Sequence, residues 1–372
     1  MMRLKWVKIL AGLALFGVGL SLFYRHWEGR GTPPQDFRVF HRAQLEAAQG
    51  GEIYRPTDPL PFKNAPGALE IFRLLPDEPV TAWLLFKALS LAVALSALFP
   101  LFRFERRREL ALLGLGLLLS WRGLIETLDY GQLELLGMGV VLWAAWVHSR
   151  GQFAVAVGVL LAFLPLFKPA WGLLWAYFLL TAAGTRRVRL GLGLGLGSLL
   201  GWVFLPLVAE GPERALALTR AWFVQLGAQP GSFFSGEDAF NQNLFIACAR
   251  WFGPVWAWIV GGVFTSLGAW ALYRRRALSW REQIGPWLIF MQLLNPLAWR
   301  WGSVFLLALT PALARDPLTR QERLGLGICA VLALLFGATK SDLWTAAYWM
   351  TLFLGAVLHP LKTPTHSPTT PH

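Results

Sequence analysis

The chain has 372 residues, 55% of them hydrophobic and only 15% charged, with a mean hydropathy of +0.48. Soluble domains carry about 25% charged residues, and a chain of this size has no interior large enough to hide so much apolar surface. The net charge of +13 excludes little by itself, but its arginines sit in short breaks between apolar runs, which reads as membrane topology and not as a nucleic-acid footprint.

In chain order, Met1 to Lys8 and the apolar stretch 9–23 resemble a signal peptide, yet no small-x-small cleavage site follows and "LFYRHWE" predicts a retained anchor. Tyr24 to Pro79 is rich in Pro, Gly and balanced charge, and predicts a long outer segment. Within it, "FRVFHRAQLEAAQGG" spaces Phe37, Phe40 and Leu45 as an amphipathic interfacial helix would. Apolar runs then predict spans at 80–102, 109–121, 133–147, 152–167, 169–183, 190–208, 254–273, 284–295, 300–314, 324–338 and 341–358. With the first run this makes about twelve, at roughly 20 apolar residues per bilayer crossing. Several are shorter, as broken or re-entrant helices buried in protein are.

Between the spans lie "RFERRRE", "TRRVR", "YRRRALSWR" and "RDPLTRQER". Threading with these loops inside gives about fifteen Lys/Arg in the short inner loops against about four in the short outer ones. Both termini are then cytoplasmic, in a multi-pass plasma (inner) membrane protein. The fold class read from this pattern is all-α polytopic, one transmembrane domain over 1–358 with outer segments of about 24–79 and 209–253. A Pro/Thr-rich disordered cytoplasmic tail follows over 359–372. In the second outer segment, "PERALALTRAWFVQLGA" is helical in pattern and "QPGSFFSGEDAFNQ" is a loop. "GLGLGLGSLLG" lacks the Lys-Ser/Thr ending of a phosphate loop and lies in a span, where glycine serves close helix packing. Cys248 and Cys329 have neither metal nor disulfide spacing.

Polar groups that a bilayer tolerates poorly collect at the outer ends of spans. Arg122, Glu126, Asp129 and Gln132 follow the third span, and Lys168 precedes Pro169 at a break. Asn241, Gln242, Asn243 and Arg250 precede the eighth span, and Asn295 and Arg300 mark another break. With Asp36 and Lys63 they fall on one side, which predicts a single polar cavity facing out. Plainer roles stand beside this one. Arg122 and Arg300 can snorkel to headgroups, Asn241 and Gln242 can cap the next helix, and Asp36 can cap a helix starting near Phe37. Glu126, Asp129 and Glu134 can pair with nearby arginines.

The motifs "DFRVFHRAQLEAAQGGEIYR", "PFKNAPGALEIFRLLP", "RGLIETLDYGQLELL", "LPLFKPAWGLL", "NQNLFIACAR" and "NPLAWRWGSVFLLAL", in this order, resemble glycosyltransferase family 87 of the GT-C superfamily. The family includes polyprenol-dependent mannosyltransferases. The resemblance implies a GT-C-like membrane enzyme in which the first-loop carboxylate, here Asp36, is the general base. It aligns the family's Gly-Gln with Gly131-Gln132, its Lys-Pro with Lys168-Pro169 and its Asn-Gln with Asn241-Gln242. Three positions depart from the pattern: Asn64 stands where an aromatic is common, Glu134 where an Asn is usual, and Arg300-Trp301-Gly302 where histidines are often found.

Transfer from a lipid-phosphate sugar needs a base for the acceptor hydroxyl and fixed cations around the departing phosphate. Lys63, Lys168, Arg250 and Arg300 are the candidate donor-phosphate ligands, and Arg38, Arg122, Gln132, Asn241 and Gln242 the candidate substrate contacts. Arg38 or Arg42 is expected to hold Asp36 or a phosphate. A monophosphate donor among such cations calls for no metal or other cofactor. The implied partners are a polyprenyl-phosphate-linked sugar, probed as a hexose such as mannose, a glycolipid or glycan acceptor, and the lipid bilayer, with no nucleic acid. Two other classes use the same residues differently. A transporter or flippase would place titratable groups at mid-bilayer, where Lys87 is the conspicuous charge, and a non-catalytic lipid-binding relative would bind without transfer.

Overall fold

The computed structural model describes residues 33–55, 57–58, 61–102, 107–228, 243–295, 298, 300–313, 328 and 350–356. For residues 107, 108, 228, 250–252, 254, 300 and 301 it describes the backbone only. The expected span 9–23, all of 324–338 but residue 328, and most of 341–358 lie outside the described residues, as do the tail and Asn241-Gln242.

The described chain is helical and contains no strand. Two short helices, α1 (Gln35–Ala48) and α2 (Pro66–Phe72), precede α3 (Pro79–Leu101), α4 (Arg107–Tyr130), α5 (Glu134–Ser149) and α6 (Ala154–Phe167). A 3-10 turn (Pro169–Leu173) leads into α7 (Leu174–Thr181), and α8 runs over Gly184–Glu210 with a π-helical turn at Leu200–Phe204. Then come α9 (Pro212–Ala228), α10 (Leu244–Phe252), α11 (Pro254–Arg274) and α12 (Trp280–Leu294), and a 3-10 turn at Arg300–Phe305 opens α13 (Leu306–Leu313). Among the described residues, four helices are long and apolar enough to cross a membrane: Pro79–Leu101, Glu109–Tyr130, Gly184–Glu210 and Val255–Arg274. The chain is a membrane protein. Helices α5, α6, the α7 region and α13 are apolar but shorter.

Local chemistry accounts for the boundaries. Glu78 caps α3, accepting hydrogen bonds from the Val80 and Thr81 N–H groups at 3.0 and 2.6 Å. Ser279 and Glu282 form a capping box at the start of α12. Helix α9 spans the segment whose pattern reads as helical. Helix α4 departs from expectation, continuing past 121 to Tyr130 so that Arg122, Glu126 and Asp129 ride on the helix instead of a loop. The reason is local: Arg122 Nε donates to Glu126 Oε1 at 2.7 Å in the i, i+4 register, so the helix carries its own charge compensation.

Helices α6 and α8 cross at bare backbone. A Cβ at Gly158 would lie 2.4 Å from the Leu190 carbonyl oxygen, and one at Gly193 or Gly197 would lie 2.2 or 2.6 Å from the Val155 or Val159 oxygen. The glycine run serves helix packing, as expected for small residues in a membrane interface. Following the helices end to end sorts the molecule into two ends. One carries α1, α2, α9 and the breaks after α4, α6 and α12. The other carries the Arg-rich starts of α8 and α12 and the ends of α5 and α11.

Candidate functional site

The site lies at the first of these ends, where three chain breaks meet. Helix α4 stops before Gly131, whose φ of +69° favours a residue without a side chain. A Cβ there would also lie 2.8 Å from Phe37 Cβ. Glycine therefore lets the α4–α5 turn press against α1, and the next residue, Gln132, reaches across. Its Nε2 donates to Asp36 Oδ2. Asp36 stands in the first turn of α1, whose N-cap residue is Pro34 and has no side-chain cap bond. The capping role open to Asp36 in the sequence is thus corrected: the helix begins one residue before it.

The second break follows α6. Pro165 removes one N–H donor inside this helix and the helix stops at Phe167 before Pro169, which leaves carbonyls without intrahelical partners. The structure satisfies them from elsewhere. Trp175 Nε1 donates to the Leu161 oxygen at 3.1 Å, the Ala65 N–H to Leu166 at 2.8 Å, and Asn64 Nδ2 to Phe167 at 2.8 Å. Asn64, a departure from the family pattern, is therefore the residue that ties the Lys63 loop to the Lys168 break. The same loop is held by Tyr54 on the Asn64 carbonyl (2.9 Å), Trp222 on Lys63 (3.0 Å) and Gln225 on Phe62. Lys63 is fixed by its backbone on three sides.

Lys168 extends from this break to Glu134 at the start of α5 and donates to its Oε1. Glu134 is 1% exposed, and its Oε2 has no hydrogen-bond partner. One turn further along α5, a Cβ at Gly137 would sit 2.3 Å from the Trp171 ring, so glycine again lets the break approach. The expectation that Glu134 pairs with an arginine is corrected to Lys168, because the Lys168-Pro169 break is packed directly on α5.

Asp36 feels all of these charges. Burial raises its carboxyl above the ordinary value of 3.8; the Gln132 hydrogen bond and Lys168 oppose this, Glu134 reinforces it and Lys63 opposes it. Its Oδ1 accepts no bond from any described residue. The arrangement can take up a proton at that oxygen with two ammonium groups close by.

Of the two arginines expected to hold Asp36 or a phosphate, Arg42 engages a different carboxylate. It pairs with Asp58 at 2.7 Å. Arg38 is exposed on the opposite face of α1 from buried Phe37 and Phe40, and Arg122 is engaged with Glu126. At the third break, Asn243 caps α10 by accepting from the Phe245 N–H at 2.8 Å and donates to the Asn295 carbonyl at 2.9 Å. The cap is therefore Asn243, whereas Asn241 and Gln242 lie outside the described residues. Gly302 has its own reason: a Cβ there would meet Gln292 Nε2 at 2.1 Å, so buried Gln292 fills the space a larger side chain would need. The backbones of Arg250 and Arg300 lie in α10 and at the start of the 3-10 turn; their side chains are outside the described residues.

The sequence reading missed Glu134 as the partner of Lys168, and Trp222 and Gln225 as supports of Lys63. A Trp and a Gln three positions apart on one face of α9, both buried, were the available signal.

Comparison with known proteins agrees with the motifs. The sequence model for glycosyltransferase family 87 matches residues 68–296. A protein of Mycobacterium tuberculosis (strain CDC 1551 / Oshkosh), described as a polyprenol-phosphate-mannose-dependent alpha-(1-2)-phosphatidylinositol pentamannoside mannosyltransferase, is 27% identical across 84% of this chain and 73% of its own length. No solved structure matches.

Proposed function

The chain belongs to glycosyltransferase family 87, and from that premise we propose that it moves a hexose, mannose in the first instance, from a polyprenyl-phosphate sugar to a glycolipid or glycan acceptor. Asp36 is the general base. Its free Oδ1 takes the acceptor proton as the acceptor oxygen bonds to the anomeric carbon. The bond from that carbon to the phosphate oxygen breaks, and polyprenyl phosphate leaves with the electron pair. Gln132 orients the carboxylate without occupying its second oxygen. Partial burial keeps the base from being too weak for its task.

The phosphate gathers charge as it leaves, and Lys168 and Lys63 are the cations whose charge Asp36 feels. Arg250 and Arg300 complete the phosphate cradle in this reading. Arg38, Arg122, Asn241 and Gln242 contact the sugars. Glu134 pairs with Lys168, so a donor phosphate competes for an ammonium that already has a carboxylate partner. This favours a donor that brings full negative charge over a neutral glycoside. The short basic loops put the Arg-rich end in the cytoplasm and the Asp36 end outside, in a threading of about twelve spans.

One observation carries the reading: the half-buried carboxylate of Asp36, held by Gln132, lies within the electrostatic influence of Lys168 at the α6 break and of Lys63 in the loop before α2. The test is the purified full chain in vesicles with radiolabelled polyprenyl-phosphate mannose and a mannosylated lipid acceptor. A new glycosidic product is expected. Label that crosses the bilayer with no new glycosidic bond would instead establish a carrier and overturn the proposal.

A further inference from the structure

At the end of the molecule opposite Asp36, the starts of α6 and α8 enclose a cleft of about 660 Å³ lined by Gly151, Phe153, Val155, Thr185, Arg186 and Arg189. We propose that this cleft binds the phosphate of an anionic phospholipid, with an acyl chain running down the outer face of α8.

The two arginines form no ion pair among the described residues. Arg186 is nonetheless held in place. Gly151, at φ +76°, has no Cβ, and one placed there would lie 2.7 Å from Arg186 Nη2, so the guanidinium packs directly on the backbone. Arg187 between them turns away and donates twice to the Ala182 carbonyl, at 3.0 and 2.8 Å. A pair of unpaired guanidiniums with the Thr185 hydroxyl in one cleft suits a phosphate, which takes charge-assisted bonds from Arg. Three other arginines at this end differ. Arg150, Arg274 and Arg276 each lie over an aromatic ring, 4.1, 5.3 and 3.9 Å from its centroid.

The surroundings select a lipid over a free anion. Phe153, Val155, Val188 and Leu192 stand 72, 38, 64 and 59% exposed around and below the cleft. Helix α8 is one of the four long apolar helices, with only 28% of its apolar window buried inside the protein. A charged mouth that continues into an exposed apolar track fits an amphiphile with an anionic head. The Gly158–Gly193 crossing sets the spacing of the cleft, because it fixes how closely α6 and α8 begin.

The experiment is native mass spectrometry of the full chain in detergent with an equimolar mixture of dioleoyl phosphatidylglycerol and dioleoyl phosphatidylcholine. The wild type and an Arg274→Ala/Arg276→Ala control should retain the anionic lipid preferentially. Arg186→Ala/Arg189→Ala should lower that preference roughly twenty-five-fold, about fivefold for each cation near a headgroup. Arg189→Glu, a change at an exposed position, should lower it without disturbing the fold. Unchanged preference in these variants, or an equal loss in the control pair, overturns the proposal. So does displacement of the lipid by millimolar inorganic phosphate, which would mark a site for free anions, or a cleft that takes up no lipid because another part of this chain fills it.

Discussion

The two ends of the bundle use charge in opposite ways. At the Asp36 end the polar groups are buried or half-buried and paired: Gln132 with Asp36 and Lys168 with Glu134 across chain breaks, and Arg122 with Glu126 along α4. At the other end Arg150, Arg274 and Arg276 are exposed and lie over aromatic rings, and Arg186 and Arg189 carry no carboxylate partner among the described residues. A buried charge costs several kcal/mol unless its partner is in place, so the first end tolerates little movement. An exposed charge at a membrane surface costs almost nothing and can bias orientation or attract lipid. The proposed chemistry, which needs fixed positions, is suited to the first end, and the proposed topology signal to the second.

The comparison is broken most severely by Lys168→Met. It leaves Glu134 charged, buried and alone, and should cost about 3–5 kcal/mol, read as a large loss in thermal stability in detergent. Adding Glu134→Gln should recover most of it. Arg189→Met at the opposite end should shift stability by no more than about 0.5 kcal/mol. Equal effects at the two ends would erase the distinction.

Glycine sharpens it next. Gly131→Ala meets both a positive φ and the Phe37 side chain, and should cost about 2 kcal/mol while lowering turnover, because Gln132 moves with it. Gly184 also has a positive φ, of 52°, but nothing lies within 4 Å of its missing Cβ. Gly184→Ala should therefore cost about 1 kcal/mol and leave turnover alone. Thermal unfolding and initial rates on the two variants separate strain from site geometry.

The smallest effect is at the third break. Asn243→Ala removes the α10 cap and the bond to Asn295, and should lower stability by about 1 kcal/mol. Asn243→Asp keeps the cap but not the donor, so it should recover part of that loss.

How much of this was legible in the sequence follows from the range of each interaction. The long helices were readable because hydropathy is a local property. The α6–α8 crossing was readable because closely spaced glycines in an apolar run have few other uses. Asp36, Gln132 and Lys168 were found through motifs, but their partners were not. Asn64 reaches Phe167 and Trp222 reaches Lys63 over separations of 103 and 159 residues, which no local pattern encodes. The end of α4 was misread for the opposite reason: its polar residues suggested a loop, whereas an i, i+4 ion pair kept them helical. The departures at Asn64, Glu134 and Gly302 acquired meaning only when Phe167, Lys168 and Gln292 were seen beside them.

The central claim is that Asp36 takes the acceptor proton, and the most direct measurement is turnover by Asp36→Asn, with donor binding followed in parallel. Asn keeps the shape and can still bond to Gln132, so lipid-phosphate sugar should bind about as in the wild type while turnover falls by about two to four orders of magnitude. Wild-type turnover should rise with pH through a value above the ordinary 3.8 of an aspartate, since burial raises the Asp36 carboxyl and only its ionised form is a base. The linked stability runs the other way. The group's stabilising contribution is fully present below its unfolded pKa and falls as pH rises through the raised folded one. Asp36→Asn should therefore be no less stable than wild type at neutral pH, and any advantage should vanish toward pH ~4. Near-wild-type turnover by a well-folded Asn variant would contradict the account.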